Sequence, residues 1–511
     1  MNLQMDDTLL EFLGEIRKTL PTMKIYLVGG AVRDLLLKRP VKDLDFVVEN
    51  GSVELAKAVK SRFKGVWYTL DDEHQTARVI LSQGQPDEMI LDFTSFIGAT
   101  LEEDLRQRDF SINAMAIDLD NPNQIIDPTD GQTDLANRRL RLCNSNSLLN
   151  DPLRVIRAVR VIRSFDLDYS PEITKQLRVA TLQLERISGE RVRDELLKCL
   201  ALPGLADTYR LLKEFGILFH LLDRVYLVEP PAELITAAEN GDFVDLFSFY
   251  EDTYKPNWSS GIDGWCLNST LLETLEELVH DIEIENSNSL FFETDSKSDS
   301  PADYIHEIIL NINETLQGGR TRKQLLLIFA LFFSHHPKYS LKFDESFEQA
   351  KRKINCLEFA ERLSNMLMLG QKELKFFEFV CRGNLNLVSL AREENVGPLE
   401  MYRYFREVGS FGLESALMQI GTLHAQHILC KKDLQLANEV ILTWFCDQNT
   451  IVNPPRLVDG DDLMKSFNLK PGPNLGFYLE SIREAQATGK VASRYQALEL
   501  VSSLIDERKT L

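Results

Sequence analysis

Residues 25–48 read IYLVGGAVRDLLLKRPVKDLDFVV, and the rest of the chain is organised around them. Ile25–Val28 is a short apolar run that suits a buried strand. Gly29 and Gly30 follow, where the backbone can turn tightly and approach a ligand with no side chain in the way. AVRDLLL continues with helical spacing, so a helix N-terminus with free N–H groups faces whatever lies over the glycines. VKDLDFVV then reads as a second strand. Asp43 and Asp45 stand two residues apart in it and share one face. Two carboxylates on one face repel unless a cation lies between them. Mg²⁺, a hard ion that favours carboxylates and phosphates, is the natural one.

A Gly-Gly turn for a triphosphate beside an Asp-x-Asp strand for metals is the equipment of nucleotidyl transfer. Further blocks follow in order: RQRDFSINAMA (Arg106–Ala116), DPLRVIRAVR (Asp151–Arg160) and ERVRDEL (Glu190–Leu196). Together these blocks resemble the class II tRNA nucleotidyltransferase family, which adds CCA or part of it to tRNA 3′ ends and includes bacterial poly(A) polymerases. The resemblance covers roughly residues 26–200, and is weaker beyond except near the C-terminus. It implies an α+β protein: a small polymerase-beta-like α/β head, then an all-helical neck, body and tail. The expected divisions are 1–143 (head), 144–225 (neck with the nucleobase template), 226–370 (body) and 371–511 (body and tail, binding tRNA).

Composition agrees with a large soluble protein. The 511 residues exceed a single ordinary core. No apolar run approaches the roughly 20 residues needed to span a bilayer. The N-terminus is acidic and amphipathic rather than a signal peptide, and the seven cysteines include no CxxC pair. A cytoplasmic protein with reduced thiols is expected. The net charge of −21 argues against a generic nucleic-acid binder. Charge is nonetheless local: Arg138, Arg139, Arg141, Arg154, Arg157, Arg160 and Arg163 face only Asp151 within their stretch. Such a strip suits a defined contact with a tRNA acceptor end.

In chain order, residues 5–20 and Ser52–Phe63 read as helices, the second with Ser52 as its cap. Val66–Leu70, Ala77–Leu81 and Glu88–Phe93 read as strands. Asp92, in the last of these, is either the third carboxylate of the superfamily or an ordinary strand-end residue. Leu101–Ile117 reads as one helix that sets Asp109 and Asn113 on a common face. The resemblance implies that Arg108, Asp109 and Asn113 face the incoming nucleotide, with Gly29, Gly30 and Arg33 around its triphosphate.

The next helix bears the base-selection argument. Asp151, Arg154, Arg157 and Arg160 recur every three residues. An Asp accepts from the exocyclic amine of cytosine or adenine, while an Arg donates to the neighbouring ring acceptor. Uracil and guanine present a carbonyl instead and are rejected. Arg157 and Arg160 are then left for phosphates. Where the family usually has Glu-Asp, this chain has Asn150-Asp151.

TSFIGATL (Thr94–Leu101) is short where CCA-adding relatives resemble one another in a longer, flexible, charged loop. A short connection is the mark of members that stop after CC, and a separate A-adding enzyme would then finish the end. Complete CCA addition with CTP and ATP is the alternative. A poly(A) polymerase is disfavoured by the ERVRDEL block, and a silent RNA-binding module by the retained Asp-x-Asp pair. Residues 284–302 read as a linker or insertion. Arg320, Arg322, Lys323 and Lys351–Lys353 are small basic clusters, and His335-His336 and His424-x-x-His427 invite a metal reading without an acidic partner. The Lys470–Pro473 turn either presents N–H groups to a phosphate or is a plain turn.

Overall fold

The structure, a computed structural model, describes residues 5–71, 75–85, 87–226, 232–243, 246, 248, 264–286, 301–333, 357–393 and 395–510. His335-His336, Lys351–Lys353 and most of the 284–302 stretch lie outside them. The described residues form two compact units. The first is 1–187 with 215–217 and 236–242; the second holds the remainder.

The first unit is built on a mixed sheet, in the order β3-β4-β5-β2-β1-β6-β7 among the described residues. After helix α1 (Asp7–Arg17) the chain enters β1 (Ile25–Val28), turns into α2 (Gly30–Leu36) and returns as β2 (Asp43–Val48). Helix α3 (Ser52–Phe63) leads to β3 (Val66–Asp71), β4 (Thr76–Leu81) and β5 (Met89–Ser95). β5 runs parallel to β2, and the other pairings are antiparallel. Strand alternation explains the layers: Ala77, Val79 and Leu81 of β4 are buried, while Arg78 and Ile80 between them are part-exposed. The buried side packs on Leu55, Ala56 and Val59 of α3. The other side carries Asp43 and Asp45.

Two expectations are corrected. Ser52 does not cap α3; Gly51, at φ +81°, precedes the helix, and Ser52 is buried with its hydroxyl donating to the Gln75 carbonyl. Leu101–Ile117 is not one helix. Helix α4 (Leu101–Arg106) stops, a 3₁₀ turn spans Ser111–Asn113, and Ala116–Asp118 becomes β6, paired with β1 and with β7 (Ile125–Ile126). The apolar run Ala114–Ile117 is fully buried, and a strand next to β1 buries it on both faces.

Short helices α5 (Gly131–Ala136) and α6 (Ser147–Asn150) lead to α7 (Arg154–Phe165) and α8 (Pro171–Thr181). Helix α7 buries Val155, Ile156, Ala158, Val159, Val161 and Ile162, which turns its arginines to the opposite side. The second unit is helical among its described residues, from Gly189–Leu200 to Arg494–Thr510.

Candidate active site

The site grows from the turn between β1 and α2. Gly29 adopts φ +76° and ψ −138°, a conformation costly for any residue with a Cβ, and its N–H donates to the Met115 carbonyl at 3.2 Å. A Cβ there would lie 3.1 Å from Arg108 Nη1 and 3.4 Å from Asp45 Oδ2. The glycine therefore leaves open the space onto which an arginine and a buried carboxylate converge. Gly29→Ala should cost ~1–2 kcal/mol of stability by chemical denaturation and most of the activity.

Strand β2 places Asp43 and Asp45 on the open face, Asp43 exposed and Asp45 largely covered. Burial pushes the Asp45 carboxyl above the usual carboxylate range; Arg108 opposes this, and Asp92 and Asp43 add to it. A buried carboxylate crowded by two others is an arrangement that a cation relieves. Asp92 is the register partner of Asp45 across the parallel β2–β5 pair. Its two oxygens are both held by Arg78, from Nε and Nη2 at 2.7 Å each.

Asp109 and Asn113 meet although no helix joins them: Asn113 Nδ2 donates to Asp109 Oδ1 at 3.1 Å. The Asn113 carbonyl oxygen accepts from Arg33 Nη1, and Arg33 also pairs with Asp34 at 2.9 Å. The Arg33 guanidinium lies 4.1 Å from the ring centre of Phe165, at the end of α7. On the far side Asp109 pairs with Arg157 at 3.0 Å. Burial alone would raise the Asp109 pKa, but Arg157, Asn113 and the Phe110 N–H together hold it below the usual range. One chain of contacts thus runs from α2 through Asn113 and Asp109 to α7.

This chain changes the expected division of labour. Arg157 is engaged with Asp109 rather than left for a phosphate. Arg154 opens α7 and donates through Nη1 to the Gln107 carbonyl at 3.0 Å and to the Ser147 hydroxyl at 2.7 Å. Its Nε, covered by neighbouring atoms, makes no hydrogen bond. Asp151 precedes α7 in extended conformation and receives the Leu153 N–H at 3.3 Å. Arg138 pairs with Asp166 and Arg141 with Asp134, each at 2.7 Å, so the arginine strip is largely tied into the fold.

Three contributors escaped the sequence reading. Ser147 accepts from Arg154 and donates to the Arg108 and Asp109 carbonyls, at 3.1 and 3.2 Å. Phe165 and Arg78 join residues far apart in sequence, and no local pattern marks them. Elsewhere Arg320 pairs with Glu373, Arg322 with Glu414 and Lys323 with Glu283, so that basic cluster is spent on ion pairs. His424 contacts Thr274 at 2.9 Å.

The comparisons with known proteins agree with this geometry. Residues 25–141 match the poly A polymerase head domain, 166–225 an RNA- and SrmB-binding site of polymerase A, and 375–501 a tRNA nucleotidyltransferase domain 2. A CC-adding tRNA nucleotidyltransferase of Geobacter sulfurreducens is 25% identical over 92% of this chain and 90% of that relative. A second CC-adding enzyme, from Synechocystis sp., is 36% identical, but the match covers 38% of this chain and 46% of that relative, about half its length. An A-adding tRNA nucleotidyltransferase of Deinococcus radiodurans is 27% identical over 94% of this chain and 95% of its own. Among solved structures, the Thermotoga maritima CCA-adding enzyme complexed with tRNA shares the fold at TM-score 0.57, with 21% identity over 99% of both chains. Each of the three domain matches covers less than half of the chain, so the likeness is one of segments, in the order that the class II tRNA nucleotidyltransferase and poly(A) polymerase family has them. Among the described residues no three His, Cys, Asp or Glu side chains are gathered as a metal cage, and Asp43 and Asp45 are the carboxylate pair on the open face that could share a cation. Among the described residues no helix is long and apolar enough to cross a membrane.

Proposed function

We propose that the chain is a Mg²⁺-dependent, template-independent tRNA nucleotidyltransferase that transfers CMP from CTP to the tRNA 3′ end and stops after CC. The observation that carries the chemistry is the pair Asp43 and Asp45 beside the open turn at Gly29, with Arg108 facing it. Asp43 and Asp45 would hold the metal, which lowers the pKa of the 3′-hydroxyl and neutralises charge on the leaving pyrophosphate. Gly29, Gly30 and Arg33 cradle the triphosphate, and Arg108 offers a second cation to its phosphates. Asp109 and Asn113, tied to each other, accept from the ribose hydroxyls. Asp151 and Arg154 read the base edge, Asp151 accepting from an exocyclic amine and Arg154 donating to the neighbouring ring acceptor. Arg160 is assigned to phosphate. Arg157 orients Asp109 instead.

The four-part division (head 1–143, neck 144–225, body 226–370, tail 371–511) and a cytoplasmic location belong to the same proposal. Stopping after CC rests on the connection Phe96–Thr100. It is short and pinned: the Ile97 N–H donates to Asp104 at 3.0 Å, the Ala99 N–H to Glu103 at 2.7 Å, and Gln107 reaches the Ile97 carbonyl at 3.2 Å. A segment tied at three points has little freedom to reshape the site for adenosine. The test is a tRNA transcript lacking its 3′ CCA, incubated with Mg²⁺ and CTP, with or without ATP, and resolved nucleotide by nucleotide. We expect extension by two C's and no more in either case. An added A would make it a complete CCA-adding enzyme.

A further inference from the structure

The open face of the sheet does not end at the metal carboxylates. Residues directly opposite one another form a row, Asp45–Asp92–Arg78–Tyr68, that crosses β2, β5, β4 and β3. The next row is Asp43–Ile90–Ile80–Val66. At the outer edge Val66 and Tyr68 alternate on β3 and are 49% and 40% exposed. An apolar and aromatic platform therefore starts beside the residues assigned to the metal and runs outward to β3, the edge strand among the described residues. Arg78 is fixed in it by the two carboxylate oxygens of Asp92, each at 2.7 Å.

Resting on the function proposed above, we propose that this platform seats the single-stranded 3′ end of the tRNA, with the Tyr68 ring under a base. The 3′-hydroxyl must reach Asp43 and Asp45, so the nucleotides before it have to leave along an adjoining surface, and this one is continuous with the site. Its charge decides what faces it. Apart from Arg78 it bears only Asp43, Asp45 and Asp92, which repel phosphates, whereas Val66, Tyr68, Ile80 and Ile90 suit base faces. Bases lie on the platform and the backbone turns outward. A ring accepts any base, so the seat serves successive residues as the end grows.

The test places 4-thiouridine at the last nucleotide of a tRNA lacking CCA and maps the cross-link to the full-length protein without nucleotide. Steady-state kinetics with Tyr68→Ala and Tyr68→Phe accompany it. We expect cross-linking within β3 or β4. Tyr68→Ala should raise the tRNA KM about five- to tenfold with the CTP KM unchanged, and Tyr68→Phe should restore it. Cross-links confined to other segments, or an unchanged tRNA KM in a folded Tyr68→Ala protein, would overturn the seat. So would a Tyr68→Ala change in oligomeric state, which would mark the strand edge as an interface between copies. The cross-link reads RNA placement without catalysis, so loss of transfer in the unmutated protein would reject the proposed function while leaving this arm able to decide.

Discussion

Asp45→Asn should abolish nucleotide transfer, by more than ~10³-fold, and yet raise the stability of the metal-free protein. The two effects have one cause. Asp45 is largely buried, and burial together with Asp92 and Asp43 disfavours its charged form, against the help of Arg108. Keeping that carboxylate ionised costs folding free energy, which the protein spends on holding a cation. Asparagine keeps the shape and removes the charge, so metal-free stability should rise by ~1 kcal/mol, or roughly 2–4 °C in melting temperature. Asp43 is exposed, so Asp43→Ala should lose activity to a similar degree with little change in stability. tRNA binding, measured by filter retention, should survive both changes. A destabilised Asp45→Asn protein would show that Asp45 serves the fold rather than a metal.

Much of this site was legible because its chemistry is local. The Gly29-Gly30 turn and the Asp43–Asp45 spacing occupy one short stretch, and the strand period of two alone puts both carboxylates on one face. The apolar Val155, Ile156 and Val159 likewise fixed the arginine side of α7. What stayed hidden was pairing at a distance. Leu101–Ile117 has helix-like apolar content, but burial beside β1 converts its end to a strand, a tertiary effect that no window reveals. Asp109 and Asn113 still meet because the 3₁₀ turn brings i and i+4 together much as a helix does. Arg157 reads as a phosphate ligand on spacing, and only the fold shows Asp109 beside it. The basic Arg320–Lys323 cluster is similar: apart from Glu314 on Arg322, its partners Glu373, Glu414 and Glu283 lie 40 to 92 residues away.

The Arg157–Asp109 pair leads to the second large effect. Asp109 is buried, and Arg157 is the first of the groups that offset its desolvation. Arg157→Met removes that cation and leaves the carboxylate covered, with only Asn113 and the Phe110 N–H as donors. Because the Arg157 side chain is 37% exposed, solvent already screens the pair, so the cost falls below that of a fully buried one, at ~2 kcal/mol at pH 7. The pH dependence separates this from a simple packing loss. In the unmutated protein the native pKa of Asp109 lies below its unfolded value of 3.8, so its contribution is present above that pH and is lost as the pH falls through the native value. Without Arg157 only Asn113, the Phe110 N–H and Arg154 oppose the burial of the carboxyl, so its pKa rises. Its stabilising contribution at neutral pH shrinks accordingly. The stability difference between the two proteins, read from urea midpoints, should therefore be greatest near neutral pH and shrink towards pH 4. Asp109→Asn in the same background should recover most of the loss, since it removes the stranded charge. A difference that stays constant with pH would mean that Arg157 contributes through its aliphatic stem alone, and would detach α7 from the nucleotide-facing network.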